Sequence, residues 1–432
     1  MSTIVRYCYT FLLMLISPIL LWGLYRSKPN KPRFGSRWKE HFGFTPELGD
    51  IKEGVIWVHA VSVGEVLASK PLVLQLRERC PTKNILVTTT TSTGAEQASK
   101  LGDGVIHRYM PIDFSWCVRR FLNVVQPEVL LIIETEIWPN TIHTVAKSEV
   151  PIVLVNGRLS EKSANNYQKL RLLIVPQLQQ LTTLLTVHDD DKQRFLKLGA
   201  SETSVTTTGS LKYDISVNNR VFESGKTLRS FLGLKRKVWI AASTHLGEDE
   251  QILQAYKMAK QSIPELLLIL VPRHPERFDS VAELIKNQNL SVARRTLVQY
   301  DDLAETVDVY LGDTMGEMMV LLAASDLVFM GGSLIGQKVG GHNFIEPAVL
   351  SKACITGPSY YNFADLGEQL INAGALEVVE DSVQLSEKVL ERFSSPNSLK
   401  LSGEAGCDIV LRNQGALKRT LAAIDSVIES SQ

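Results

Sequence analysis

Residues 331–348 read GGSLIGQKVGGHNFIEPA, and their reading decides the fold. They follow Asp326-Leu-Val-Phe-Met330, an apolar run with the look of a buried strand. The glycine pairs Gly331-Gly332 and Gly340-Gly341 let backbone N–H groups approach a ligand closely. His342, Asn343 and a helical run containing Glu346 come next, and the start of such a helix favours an anion. Glu346 lies one turn beyond Asn343, within reach of ribose hydroxyls. The pattern suits a nucleotide sugar donor. The plainer alternative is a glycine-rich turn that only joins a strand to a helix.

Outward from this stretch, short β-branched runs alternate with helical patterns, which predicts parallel sheets. The first half contributes Val55–His59, Ile85–Thr90, Val129–Ile133, Ile152–Asn156 and Leu184–His188. The second contributes Val238–Ala242, Leu266–Val271, Val307–Leu311, Leu327–Met330 and Ala353–Thr356. Each half reads as a doubly wound α/β unit. The boundary falls near 215–232, where SVNNRVFESGKTLRS separates the two series, and the stretch from about Glu404 to Glu429 reads as a helix able to pack back across either unit. The expected division is an anchor over 1–25, an N-terminal domain over 26–220 and a C-terminal domain over 221–432.

Residues 7–25, YCYTFLLMLISPILLWGLY, are uncharged and apolar over 19 residues, close to the ~20 that span a bilayer as a helix. Only Arg6 precedes them, whereas Arg26, Lys28, Lys31, Arg33, Arg37 and Lys39 follow, with no acidic residue before Glu40. That bias places the following chain on the cytoplasmic side. No small-residue cleavage site follows, which argues against a removed signal peptide. Pro18 and the modest length leave open a helix lying in the interface. The basic collar suits anionic lipid. A formal net charge of zero gives no sign of nucleic-acid binding. The five cysteines are widely spaced without metal-ligand spacing and read as reduced and structural; no metal-binding cluster stands out in the sequence, and no metal or cofactor is expected.

The chemistry-bearing residues sit where the predicted strands end. Glu65 in His59-Ala-Val-Ser-Val-Gly-Glu65 opens a helix, whose positive end favours the ionised carboxylate that a general base needs. Glu134 and Glu136, in ETEIWPN, follow the buried run VLLII and are hard to place in a core unless paired. Lys212, in GSLKYD, can neutralise an acidic sugar or a phosphate. Pro272-Arg273 closes another strand, where an arginine meets phosphate well. Met315, Gly316 and Glu317 form a turn whose backbone can recognise a base. Each alone is compatible with a solvated surface role.

Taken together, HAVSVGE, ETEIWPN, GSLKYDI, AASTHLGE, LVPRHPERF, GDTMGEM, GGHNFIEPA and the terminal NQGAL resemble the 3-deoxy-D-manno-octulosonic acid (Kdo) transferases of lipopolysaccharide assembly, across nearly the whole chain. The resemblance implies a GT-B fold, two Rossmann-like domains facing a cleft, behind an N-terminal membrane-anchor helix at the cytoplasmic face of the inner membrane. It implies an inverting glycosyltransferase with CMP-Kdo as donor and a lipid A precursor such as lipid IVA as acceptor. Glu65 would be the base; Glu134 (with Glu136 as rival) and Lys212 would stabilise the transition state. Pro272, Arg273, Met315, Gly316, Glu317, Asn343, Phe344, Ile345 and Glu346 would hold CMP. The connection Ile335–Val339 is slightly longer than the family pattern. Two other readings compete: a nucleotide-sugar 2-epimerase of the same fold, and a membrane-tethered sensor that binds a sugar nucleotide without turnover.

Overall fold

The computed structural model describes residues 2–26, 32–49, 53–215, 217–298 and 306–430. Lys28 and Lys31 of the basic collar lie outside the described residues. The chain forms two compact units, one comprising 1–214 with 414–432, the other 215–413.

The first unit holds a seven-stranded sheet of β1 (Val55–His59), β2 (Asn84–Thr89), β3 (Val105–Tyr109), β4 (Val129–Ile133), β5 (Ile152–Gly157), β6 (Thr183–Thr186) and β7 (Val205–Thr207), in the order β3-β2-β1-β4-β5-β6-β7. All the pairings are parallel. Its central strands β1, β4 and β5 are buried on every residue and apolar except at their carboxyl ends, where His59 closes β1 and Asn156 and Gly157 close β5, as a sheet covered by helices on both faces requires. One side packs Trp57, Phe121, Leu130 and Phe195 into its core, the other Val58, Leu72, Leu131 and Val155.

The second unit repeats the plan with β8 (Val238–Thr244), β9 (Leu267–Pro272), β10 (Val292–Arg294), β11 (Val309–Leu311), β12 (Leu327–Met330), β13 (Ala353–Thr356) and β14 (Leu376–Val378), ordered β10-β11-β9-β8-β12-β13-β14 and again parallel. The two-sheet α/β architecture is therefore the one expected from the sequence, and the N-terminal apolar segment is a helix, Ser2–Tyr25.

The chain passes between the units at 214/215, at the start of the stretch read as a boundary, but most of the stretch 215–232 is the helix Asn219–Leu232, belonging to the second unit. Asn218 caps it, and Leu228 and Leu232, one turn apart, are buried. A Cβ on Gly225 would lie 2.6 Å from that of Ala323, so the helix packs closely there. The C-terminal stretch is not one helix either. It breaks at Gln414-Gly415 into Pro396–Asn413 and Ala416–Ser430. The Asp214 carboxylate accepts the amides of Gly415 and Leu417, at 2.7 and 2.6 Å, a favourable place for an anion at a helix start. The last helix then buries Leu421, Ile424 and Val427 in the core beside Leu72 and Leu76.

Candidate active site

In the first sheet β1 and β4 are neighbours, and the chain leaves them in opposite directions, which makes their carboxyl ends the switch point where doubly wound folds bind ligands. Glu65 and Glu134 come from these two ends. The helix Val63–Arg79 starts with Ser62 as its cap. Its Oγ accepts from Glu65 N (3.3 Å) and donates to Glu65 Oε1 (2.8 Å), while Val61 N donates to Glu65 Oε2 (2.7 Å). Local sequence thus fixes the carboxylate in a variant of the capping box.

Glu65 as a whole is only 7% exposed. Burial pushes its pKa up; the bonds from Ser62 and Val61 pull it down; the charges of Glu136 and Glu134 raise it again, leaving it at about 7. Among the described residues no cation pairs with it. A carboxylate tuned this way exchanges a proton near neutrality, as a general base should.

Glu134 has φ 61°, a left-handed conformation that costs a non-glycine residue ~1 kcal/mol or more. Its carboxylate lies 3.9 Å from Lys212 Nζ. Burial lowers the Lys212 pKa, opposed by the Glu134 charge, assisted by Arg158 and opposed again by Glu65. The sequence-predicted trio of Glu65, Glu134 and Lys212 is thereby brought together electrostatically. Glu136 belongs with them, though its Oε2 accepts the Trp138 indole N–H at 2.8 Å. Sequence reasoning missed Asn156, also at positive φ (58°), whose Oδ1 accepts Leu211 N at 3.2 Å and so holds the segment bearing Lys212. His59, from the same HAVSVGE string, is a core residue: burial lowers its pKa to about 4, and its Nδ1 bonds Thr88 Oγ1.

The second sheet has its switch point between β8 and β12. Here the structure corrects the simplest reading of the glycine stretch. The side chain of Glu248, itself fully buried, accepts the amides of Gly332 (2.7 Å), Ser333 (3.0 Å), Leu334 (3.0 Å) and His245 (3.1 Å). Burial raises its pKa while those donors pull it down. The first glycine pair therefore serves an internal carboxylate, not an incoming anion. Its tight approach explains the glycines: a Cβ on Gly331 would sit 2.8 Å from Ser243 O and 2.9 Å from Glu248 Oε2, and Gly332 has φ 73°. Glu248 opens a run of acidic residues at a helix start, HLGEDEQ, where it reads as an ordinary capping residue; nothing local reveals its partners.

Of the residues expected to hold a nucleotide, several keep free groups and others do not. The Arg273 side chain is exposed at the end of β9, and its charge reaches Glu346, His245 and His342. Pro272 closes β9 as a buried strand residue. Burial raises the Glu346 pKa, and the Asn343 amide and Arg273 oppose the rise; Asn343 Nδ2 lies 3.3 Å from Glu346 Oε1. Phe344 and Ile345 are buried side chains, and the Ile345 amide donates to Asn343 Oδ1 at 3.0 Å, so Ile345 offers a ligand neither side chain nor N–H. Met315 is exposed and Gly316 has φ 85° with open space above it. Glu317 is bound by Arg295 in a two-pronged pair (3.1 and 2.9 Å), which with Thr314 lowers its pKa. Its carboxylate is thus engaged within the turn by Arg295 and Thr314.

Beside Arg273 the structure adds His245, which the sequence did not single out, and sets it against His342. The rings of His245 and His342 stack at 5.1 Å with Nε2 atoms 2.9 Å apart, and His274 meets His245 edge-on. Such a contact needs one donor and one acceptor, hence a neutral ring. Burial, aided by the neighbouring cationic groups, puts both pKa values at about 4.

Comparison with known proteins places the chain in a family. The family model described as 3-deoxy-D-manno-octulosonic-acid transferase (kdotransferase) matches residues 36–215. A 3-deoxy-D-manno-octulosonic acid transferase of Haemophilus influenzae is 37% identical over 98% of this chain and 99% of its own. One of Bordetella pertussis is 33% identical over 97% and 99%. Among solved structures, a glycosyltransferase of Rickettsia africae covers 87% of this chain and 98% of its own with a TM-score of 0.54, at 13% identity, a likeness of fold alone. The chain belongs to the 3-deoxy-D-manno-octulosonic acid transferase family.

Proposed function

We propose that this protein transfers Kdo with inversion from CMP-Kdo to a hydroxyl of a lipid A precursor, lipid IVA, at the cytoplasmic face of the inner membrane, in lipopolysaccharide biosynthesis. The observation that carries the reading is Glu65: a buried carboxylate with no cationic partner among the described residues and a pKa of about 7, in a chain of this family.

In this mechanism Glu65 accepts the proton of the acceptor hydroxyl. The acceptor oxygen forms its bond to the ketosidic carbon from one face, while the bond to phosphate breaks on the other and its electron pair leaves on CMP. The transition state has oxocarbenium character by analogy with glycoside hydrolysis, so the Glu134 carboxylate stabilises the developing positive charge and Lys212 meets the donor's acidic groups. Arg273, the backbone of the 315–317 turn, and Asn343 with Glu346 hold the CMP moiety, with Phe344 and Pro272 shaping the support beneath. Membrane attachment is assigned to the N-terminal helix, 23 residues of which are apolar enough to enter a bilayer.

Incubating the full chain with CMP-Kdo and lipid IVA tests this directly. The expected products are a lipid heavier by one or more Kdo units and one CMP per unit added. Free CMP without a heavier lipid, or an altered sugar nucleotide without consumption of lipid, would reject it.

A further inference from the structure

We infer that the helix Ser2–Tyr25 lies in the plane of the membrane, docked along its whole length on the first unit, and that its outer stripe, with an adjoining aromatic groove, rests on an anionic lipid surface. This rests on the membrane assignment proposed above and replaces a spanning anchor by a monotopic one.

The helix is fastened at both ends. Near its start, Arg6 Nη1 donates to Asn140 Oδ1 (3.0 Å), Tyr9 OH to Asp113 Oδ2 (2.9 Å), and Asn140 Nδ2 to Thr10 Oγ1 (2.9 Å). At its end, Tyr25 OH meets His41 Nδ1 at 2.8 Å and its ring packs edge-on against Phe34. At 1.5 Å per residue these ends are ~28 Å apart. Between them Leu13, Ser17 and Leu21 continue the same inward stripe at helical spacing. A helix crossing ~30 Å of hydrocarbon with this docking intact would draw Asp113, Asn140 and the Arg37–Glu40 pair toward the bilayer core, where such groups are costly.

The opposite stripe, Ile4, Tyr7, Phe11, Leu15, Ile19 and Trp22, is 60–69% exposed on one face. An apolar stripe of that length in water marks a contact surface. A groove lined by Trp38, Phe42, Phe44 and Trp116, with the Arg120 guanidinium over the Phe44 ring and Lys39 at its edge, adjoins the two docked ends of the helix, where Tyr25 OH donates to Trp38 O and Arg6 Nη1 to Ser115 Oγ, each at 3.4 Å. Exposed tryptophans and cations are the groups that settle at a headgroup layer. Arg26, Arg33, Lys39 and Arg120 are all exposed, and residues 1–39 contain no acidic side chain. The charge therefore complements anionic lipid.

The test uses the full chain with Cys8, Cys80 and Cys407, the free cysteines that are not buried, replaced by serine and spin labels at Ile4→Cys, Phe11→Cys or Ile19→Cys, mixed with vesicles of three parts phosphatidylcholine to one part phosphatidylglycerol. Flotation establishes binding, and oxygen against nickel-chelate relaxation reads depth. Equal shallow depths, about 5–10 Å below the headgroups, support the in-plane helix. Flotation with Phe11 near the bilayer centre and Ile4 and Ile19 shallower overturns it while keeping the membrane reading; failure to float overturns both. Lys39→Ala with Arg120→Ala should weaken partitioning by roughly thirtyfold at low salt, and unchanged partitioning would remove the groove from the contact surface.

Discussion

Glu65→Gln is expected to slow Kdo transfer by about 10²–10⁴-fold while leaving CMP affinity nearly unchanged. Glutamine keeps the length of the side chain and one oxygen acceptor for the Val61 amide or the Ser62 hydroxyl, so the helix start survives and only basicity is lost. Alanine would be a less informative choice, because losing the cap interactions adds ~1 kcal/mol of destabilisation. The amide also removes a charge that burial, Glu134 and Glu136 all disfavour. The variant should therefore melt at the same temperature as the parent or higher, a trade of stability against activity. Near-normal turnover with intact CMP binding, read by calorimetry beside the transfer assay, would take the base role away from Glu65.

Glu248→Ala is the second large effect. It strips the acceptor from four amides, those of His245, Gly332, Ser333 and Leu334, in a place where the carboxylate is fully buried. Donors left buried without partners cost ~1–3 kcal/mol each, and water entering the vacated space recovers part of this. A net loss of about 3–5 kcal/mol is comparable with breaking a buried charge pair. For a unit of this size that lowers the melting transition by roughly 10–15 °C. Glu248→Gln does not rescue it, because its NH2 would face amide donors. CMP binding should fall with the loop, since the 331–334 segment leads into His342 and Asn343. An unchanged calorimetric transition would mean that the loop holds its shape without Glu248.

Much of this molecule was legible in its residues because both sheets are parallel and buried. β1, β4, β12 and β13 are short runs, apolar but for the closing His59 of β1 and Thr356 of β13, and their limits as read coincide with those in the structure. The strands that escaped notice are edge or near-edge ones. β3 carries His107 and Arg108 in its middle, and β10 and β14 are three residues long, too short for any period to register. The helix Asn219–Leu232 passed for a linker because only a narrow stripe of it is apolar.

The site was legible to the extent that strand ends predict where chemistry gathers. Glu65, Glu134 and Lys212 come from β1, β4 and the segment after β7, and the structure sets their charges against one another. The value of Glu65 as a base was not visible, because it depends on burial and on two carboxylates some 70 residues away in sequence. Glu248 was hidden for the same reason. Its partners lie 84 to 86 residues further along, and a glycine loop that looks open to a phosphate is already closed by an internal anion. Phe344 and Ile345 show the complementary error: a motif places residues in a neighbourhood without saying which of their atoms remain available.

The dependence of kcat/KM for CMP-Kdo on pH, at saturating acceptor, tests the central claim most directly. A base is active when deprotonated, so a carboxylate raised to about 7 gives a rate that climbs tenfold per pH unit below that value and levels off above it. A profile flat from pH 5.5 to 8.5, or one breaking near the ordinary carboxylate value of ~4.3, would contradict it.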